Sequence, residues 1–351
     1  MPENVNFLYY MLNSEVWRQI LAQDSRICIF RGLKIAYSIL LFLVGLFLQA
    51  QQYPFWSQYR SNLFMMNPAV AGTREDLDVR MTYRNQWAGF QGAPVTSGAS
   101  VQGRLMKGKM GLGGFVFQDK IGPFSNLTAA LAYAFKIKFK DVALSFGLNG
   151  SYNTSHIDPG YLTYQNSQDM AMNNLNTTRN ANNFNSSAGI MLYNDRFHIA
   201  ISGNNMLGTS FTFDKTGEIP KKGDFTTVPH YCLAIGYNYS ENPDYVWENN
   251  VMALVVEGTP ILLDYYLRLH IKRGLFVGAG IIFNAAVNGQ VGWTFGNWGQ
   301  VSYSYDFCTN ALASTNFGTH EVKIVFFHSK FKEQRGRVNK EFQHQKFQYL
   351  L

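Results

Sequence analysis

The sequence predicts an all-β protein: a transmembrane antiparallel β-barrel of the outer membrane, of about 14 strands, with an N-terminal periplasmic or plug-like ribbon. Three observations predict it. From Glu75 onward, apolar and polar residues alternate with period two in runs of about ten, the pattern and length of a tilted membrane strand. The connections between runs are mostly short after every second strand and include long ones in between, as in outer-membrane barrels. Aromatic residues make up 15% of the chain, including 28 Phe and 20 Tyr, and many stand near strand ends, where a lipid interface would hold them.

Composition supports a folded, strand-rich chain. Of 351 residues, 46% are hydrophobic and 15% charged, too little charge for a disordered protein. The aromatics favour strands, and 31 Gly disfavour helix interiors. Residues 1–50 read as a leader. Arg31 and Lys34 precede the apolar run Ile35 to Leu48, which is followed by Ala50. The run is shorter than the roughly 20 residues of a spanning helix, so it reads as a secretory signal cut after Ala50, with an uncleaved anchor as the alternative. Cys28 leaves with the leader. Cys232 and Cys308 form no disulfide framework, and neither they nor the seven His make a zinc pattern.

The ribbon, 51–75, contains "SQYRSNLFMMNPAVAGTRE" from Ser57. It carries no strand pattern. Leu63 to Met66 need burial, and Asn67-Pro68 is turn chemistry that lets the chain reverse before the first strand. The expectation is a ribbon folded into or across the periplasmic mouth as a partial plug, with a surface linker as the alternative.

Fourteen strands are expected between 76 and 328, at about 76–87, 94–104, 109–119, 124–136, 141–153, 183–193, 196–206, 227–240, 248–257, 262–272, 274–284, 286–296, 299–308 and 319–328. The run "LDYYLRLHIK" is the clearest. Leu263, Tyr265, Leu267, Leu269 and Ile271 point one way, and Asp264, Tyr266, Arg268, His270 and Lys272 the other. Short turns such as "MKGK", "KRG" and "NWG" follow even-numbered strands, and the long connections 154–182 and 207–226 follow odd-numbered ones. With short turns in the periplasm, an even count puts both mature termini there. The stretch "ENPDYVW", 241–247, is long for such a turn, and Asn173 to Ser187 reads as a solvated external loop. A sandwich would also alternate, but its strands average nearer 5–6 residues.

The tail 329–351 carries Lys330, Lys332, Arg335, Arg337, Lys340 and Lys346 against Glu333 and Glu341, a large part of the net charge of +7. Nucleic-acid binding is one reading of a basic tail, but an exported protein rarely meets nucleic acid, so the tail points to an acidic partner, to headgroups of the outer-membrane lipid, or to a solvated periplasmic extension.

No catalytic or cofactor motif stands out. "GKMGLGG" opens a strand, lacks the Lys-Ser/Thr of a phosphate loop and lacks dinucleotide spacing, so Gly111, Gly113 and Gly114 read as relief of crowding. No G-x-S-x-G elbow occurs. Arg80, Asp264, Arg268, His270, Glu321 and Lys323 lie on polar strand faces and make a lumenal charge network; of these, His270 beside Asp264 and Arg268 comes nearest to a catalytic constellation. No metal or cofactor is implied.

Several segments in a fixed order resemble one family. They are "SQY" (Ser57, Gln58, Tyr59), "NPAVAG" (Asn67, Pro68, Ala69 to Gly72), "YRNQWAGFQGAP" with Arg84, Gln86 and Trp87, "GKMGLGG", "DKIGPFS" from Asp119, "YSYD" from Tyr303 and "GTHEVKI" from Gly318. Together they resemble the PorP/SprF family across Ser57 to about Phe327. The resemblance implies an outer-membrane barrel of Bacteroidota that serves type IX protein secretion and, in gliding species, adhesin export. It implies no enzymatic activity. The partners it implies are periplasmic, namely the ring-forming lipoprotein complex and a peptidoglycan-binding protein, or else the C-terminal domain of a secreted cargo. The basic tail departs from barrels that end on a terminal aromatic, since Phe326 and Phe327 are internal here.

Three functions follow as alternatives. One is a secretion-system barrel that acts by binding. Another is a passive porin whose Arg80, Arg84, Arg268 and Lys323 set anion preference. The third is a barrel enzyme built on His270.

Overall fold

A computed structural model describes residues 56–74, 76–161, 179–211, 225–242, 244–271 and 274–328. The leader and the basic tail lie outside the described residues. Sixteen strands follow in chain order: β1 (Leu77–Asn85), β2 (Val95–Leu105), β3 (Met110–Ile121), β4 (Phe124–Lys138), β5 (Ala143–Ile157), β6 (Arg179–Tyr193), β7 (Phe197–Asn204), β8 (Ser210–Phe211), β9 (Phe225–Thr226), β10 (His230–Tyr239), β11 (Tyr245–Val256), β12 (Leu262–Ile271), β13 (Leu275–Ile282), β14 (Ala286–Phe295), β15 (Gly299–Cys308) and β16 (Thr319–His328). All but β8 and β9 close into one antiparallel barrel of 14 strands, the fold class the sequence predicts. Closure is made by β1 against β16, with Leu77 opposite His328 and Asn85 opposite His320. No sheet edge is left in this ring, as a structure surrounded by hydrocarbon requires.

Burial is inverted relative to a soluble protein. On β1, Asp78, Arg80, Thr82 and Arg84 are buried while Leu77, Met81 and Tyr83 are exposed. On β12, Asp264, Tyr266 and Arg268 are buried while Leu263 and Tyr265 are exposed. Leu131 and Leu148 are 79% and 65% exposed. An apolar outer surface of this extent is stable only against lipid. Aromatics edge it at both rims. At one end stand Tyr152 with Phe184, ring centroids 5.0 Å apart, and at the other Phe295, Trp298 and Phe326, stacked at 5.9 and 6.3 Å.

The two ends differ. Between the described strands, the face where β1 begins carries the connections 106–109, 139–142, 194–196, 240–244, 272–274 and 296–298. The opposite face carries 86–94, 158–178, 205–229 and 309–318 along with three short turns. We call these the short-turn and long-loop faces. Two local expectations need correction. The "ENPDYVW" turn is not long, because β11 already begins at Tyr245. The Asn-rich stretch is not all loop, because β6 runs from Arg179. Its inward Asn183 and Asn185 are buried and bond Asn153 Nδ2 (2.8 Å) and Thr227 Oγ1 (2.9 Å). Polar residues on both sides of a strand erase the alternation by which a strand is recognised.

A charged lumen occupied by the N-terminal ribbon

The ribbon lies inside the barrel. Its apolar residues Trp56, Tyr59, Leu63, Phe64, Met65, Met66, Ala69, Val70 and Ala71 form one buried cluster with inward residues of the wall, including Phe115, Phe117, Met191, Cys232 and Met252. Phe64 meets the Phe115 ring edge-on at 5.8 Å, and Trp56 meets Phe117 edge-on at 6.5 Å. The need of "LFMM" for burial is thus met by apolar inward residues of the wall. No regular strand or α-helix forms here. The segment folds as two 3-10 turns, Tyr59–Met65 and Pro68–Val70. Asn67 caps the second: its Oδ1 accepts from the Ala69 N–H at 2.9 Å, and Pro68 starts the turn, where its missing N–H costs nothing.

A ribbon without regular structure leaves backbone groups to be satisfied, and the wall satisfies them. Ser202 Oγ and Asn204 Nδ2 donate to the Met66 carbonyl at 2.8 and 2.9 Å. Ser145 Oγ donates to the Ala69 carbonyl at 2.6 Å, and Lys136 Nζ donates to the Gly72 carbonyl. The Gly72 N–H donates to Gln102 Oε1 at 3.2 Å. Asn67 Nδ2 reaches the Ile201 carbonyl at 3.1 Å, and Asn62 exchanges hydrogen bonds with Ser100. Close approach needs room on the wall. At Gly147 a Cβ would overlap the Ala69 amide and the Pro68 carbonyl carbon, and at Gly111 it would overlap the Ala71 carbonyl. Gly111 and Gly113 of "GKMGLGG" therefore relieve crowding against the ribbon, a partner the sequence alone did not identify, whereas Gly114 faces Ala130 and Leu131 of β4.

The leading end is held by charge. Glu321 accepts the Ser57 N–H at 2.9 Å and the Gln58 N–H at 3.2 Å. Arg84 bridges Asp306 at 3.0 Å and Glu321 at 3.2 Å, and the Ser57 hydroxyl donates to Asp306 and accepts from Arg84. Lys323 Nζ donates to the Gln58 carbonyl and lies 3.8 Å from Glu321. The Gln58 amide is read from both sides. Its oxygen accepts from Gln290 (2.7 Å) and Ser302 (2.6 Å), and its Nε2 donates to Ser304 and to the Glu321 carbonyl, each at 3.2 Å. Every charged member of this latch is at most 5% exposed. Buried charges are retained only when paired and hydrogen-bonded, and here the ribbon backbone supplies part of the pairing.

The six charged positions expected in one network separate into groups. Glu321 and Lys323 belong to the latch, together with Arg84. Arg80 pairs with its neighbour Asp78. Arg268 donates to Ser61 (3.2 Å) and Gln290 (2.7 Å), lies 3.6 Å from Glu248 and has Phe276 under its guanidinium at 4.9 Å. His270 Nε2 lies 3.0 Å from the same Glu248 carboxylate. Asp264 is buried on the lumen side of β12. Among the described residues, no group of three or more His, Cys, Asp or Glu is placed to hold a metal.

Of the motif positions, Ser57, Gln58, Tyr59, Asn67, Pro68, Ala69 and Gly72 are all buried in the ribbon. Gln86 and Trp87 are elsewhere, at the start of 86–94, where the Trp87 N–H donates to Thr319 Oγ1 at 3.2 Å and the Gln86 N–H to the Pro94 carbonyl at 2.9 Å. Sequence reasoning missed Asp306, Glu248, Ser61 and Asn62. Asp306 stood in the quoted "YSYD", and its inward parity with Ser302 and Ser304 was the available signal.

The chain matches the family described as "Type IX secretion system membrane protein PorP/SprF" over residues 48–326. The chain belongs to the PorP/SprF family. It is thereby an outer-membrane component of the type IX secretion system. No curated protein matches. Among solved structures, this PorP/SprF barrel is similar to Omp33 of Acinetobacter baumannii, with 12% identity over 73% of this chain and all of that one, at a TM-score of 0.42. It is also similar to a Pseudomonas aeruginosa FadL homologue, with 8% identity over 74% and 91% and a TM-score of 0.40. The KdgM porin gives 10% identity over 72% and 99% and a TM-score of 0.35. Likenesses this loose carry no property of those proteins over to this chain.

Proposed function

We propose that this PorP/SprF protein serves type IX secretion as a closed barrel that binds partners and does no chemistry. The observation that supports this reading most is the ribbon itself. It lies inside the barrel and engages Arg84, Arg268 and Lys323, the cations that an open porin would offer to passing anions. In the proposed orientation the short turns and the basic tail 329–351 face the periplasm. There they meet the ring-forming lipoprotein complex and the peptidoglycan-binding protein, while the long loops face outward and support export or surface attachment of cargo C-terminal domains.

A deletion strain tests it. Cargo carrying a type IX C-terminal domain should disappear from the cell surface and accumulate in the periplasm, with small-solute uptake unchanged. Normal surface cargo combined with a drop in solute uptake would establish the porin reading instead.

A further inference from the structure

The ribbon's two ends sit at opposite ends of the barrel. Gly72 bonds Gln102 and Lys136 and touches Gly111, beside the short turns 106–109 and 139–142. Ser57 and Gln58 are held by Arg84, Asp306 and Glu321. Arg84 is one residue from the end of β1, Asp306 is two from the end of β15, and Glu321 is two from the start of β16. All three strand ends open on the long loops 86–94 and 309–318. From the level of Asp78, which pairs with Gln102, to that of Arg84 is about 20 Å of strand.

We infer that the ribbon is threaded through the whole lumen, with its Trp56 end opening at the long-loop mouth and its Gly72 end at the short-turn mouth. The Trp56 end of the ribbon and the long loops then share one face, opposite to the face where β1 begins and β16 ends. Such a path runs against the expectation that both mature ends lie in the periplasm. In the orientation proposed above, the end of β16 stays periplasmic and the Trp56 end of the ribbon faces the cell surface. The latch is then directly beneath a surface that partners touch. The Ala88 N–H donates to the Gly318 carbonyl and the Phe317 N–H to the Ala88 carbonyl, which ties the two loops together over Arg84 and Glu321. A partner that parts these loops can release Ser57 and Gln58 without entering the lumen.

The test places one epitope between Phe55 and Trp56, a second in loop 158–178 and a third in turn 139–142, each in a separate full-length protein. Each also carries Asn62→Cys and Ser100→Cys, whose wild-type side chains lie 3.1 Å apart and report a seated ribbon by cross-linking. Antibody is applied to intact cells and to cells with a permeabilised outer membrane. The cross-link should form, and the first two epitopes should label together in intact cells while the third labels only after permeabilisation. If the first epitope instead labels with the third, or if the 62–100 cross-link fails, threading is wrong. The orientation stands or falls separately, on which of the second and third epitopes is exposed on intact cells.

Discussion

Gly147→Ala is expected to unseat the ribbon while leaving the barrel closed. The added methyl would overlap backbone atoms of Pro68 and Ala69, which cannot swing aside as a side-chain tip can. Overpacking costs about 1–3 kcal/mol, and backbone as the obstacle puts this site in the upper part of that range. Seating of the ribbon should therefore weaken by roughly 30- to 150-fold. Cross-linking between Asn62→Cys and Ser100→Cys should fall accordingly in the Gly147→Ala background. Gly150→Ala is the control, because nothing lies within 4 Å of a Cβ there. It should cross-link like the parent. Equal cross-linking in both variants would mean that the ribbon does not rest on β5 as described.

Removing the Glu321 carboxylate should have the larger effect on stability. Glu321→Ala leaves Arg84 and Lys323 without this counter-charge and the Ser57 and Gln58 amides without their acceptor. Breaking a buried pair by deleting one partner costs about 3–5 kcal/mol. Part of that is recovered when the ribbon lets go and water reaches the cations. Glu321→Gln keeps an acceptor oxygen and should lie between Glu321→Ala and wild type. The midpoint of urea unfolding, followed by the gel mobility of the folded barrel, reads the order. A Glu321→Ala midpoint equal to wild type would remove the latch from the account.

The barrel was legible because its physical cause is periodic. Every spanning strand puts one side toward lipid and the other toward the lumen, so β12 and β15 could be read within a residue of their bounds. Legibility fails where that contrast fails. The outer part of β6 is polar on both sides and read as loop, and Tyr245 to Trp247 were assigned to a turn. Within the lumen, the residue types of the charge network were visible, but its partition was not. Which carboxylate serves which cation depends on shear around the barrel and on an irregular ribbon. Asp306 therefore escaped, and Arg84 was placed on the lumenal face without its carboxylate partners. The ribbon itself announced a need for burial through Leu63 to Met66. Its depth could not be read, because the depth is set by glycines on distant strands, such as Gly111 and Gly147, whose common neighbour appears only in three dimensions.

The central claim is that the ribbon closes the lumen, and single-channel conductance in planar bilayers tests it most directly. Wild-type protein extracted from outer membranes would be compared with a variant lacking residues 56–73, after both are confirmed folded by heat-modifiable mobility. Wild-type protein should be silent and the deletion variant should conduct. Wild-type protein that conducts at the level of the deletion variant would contradict the claim.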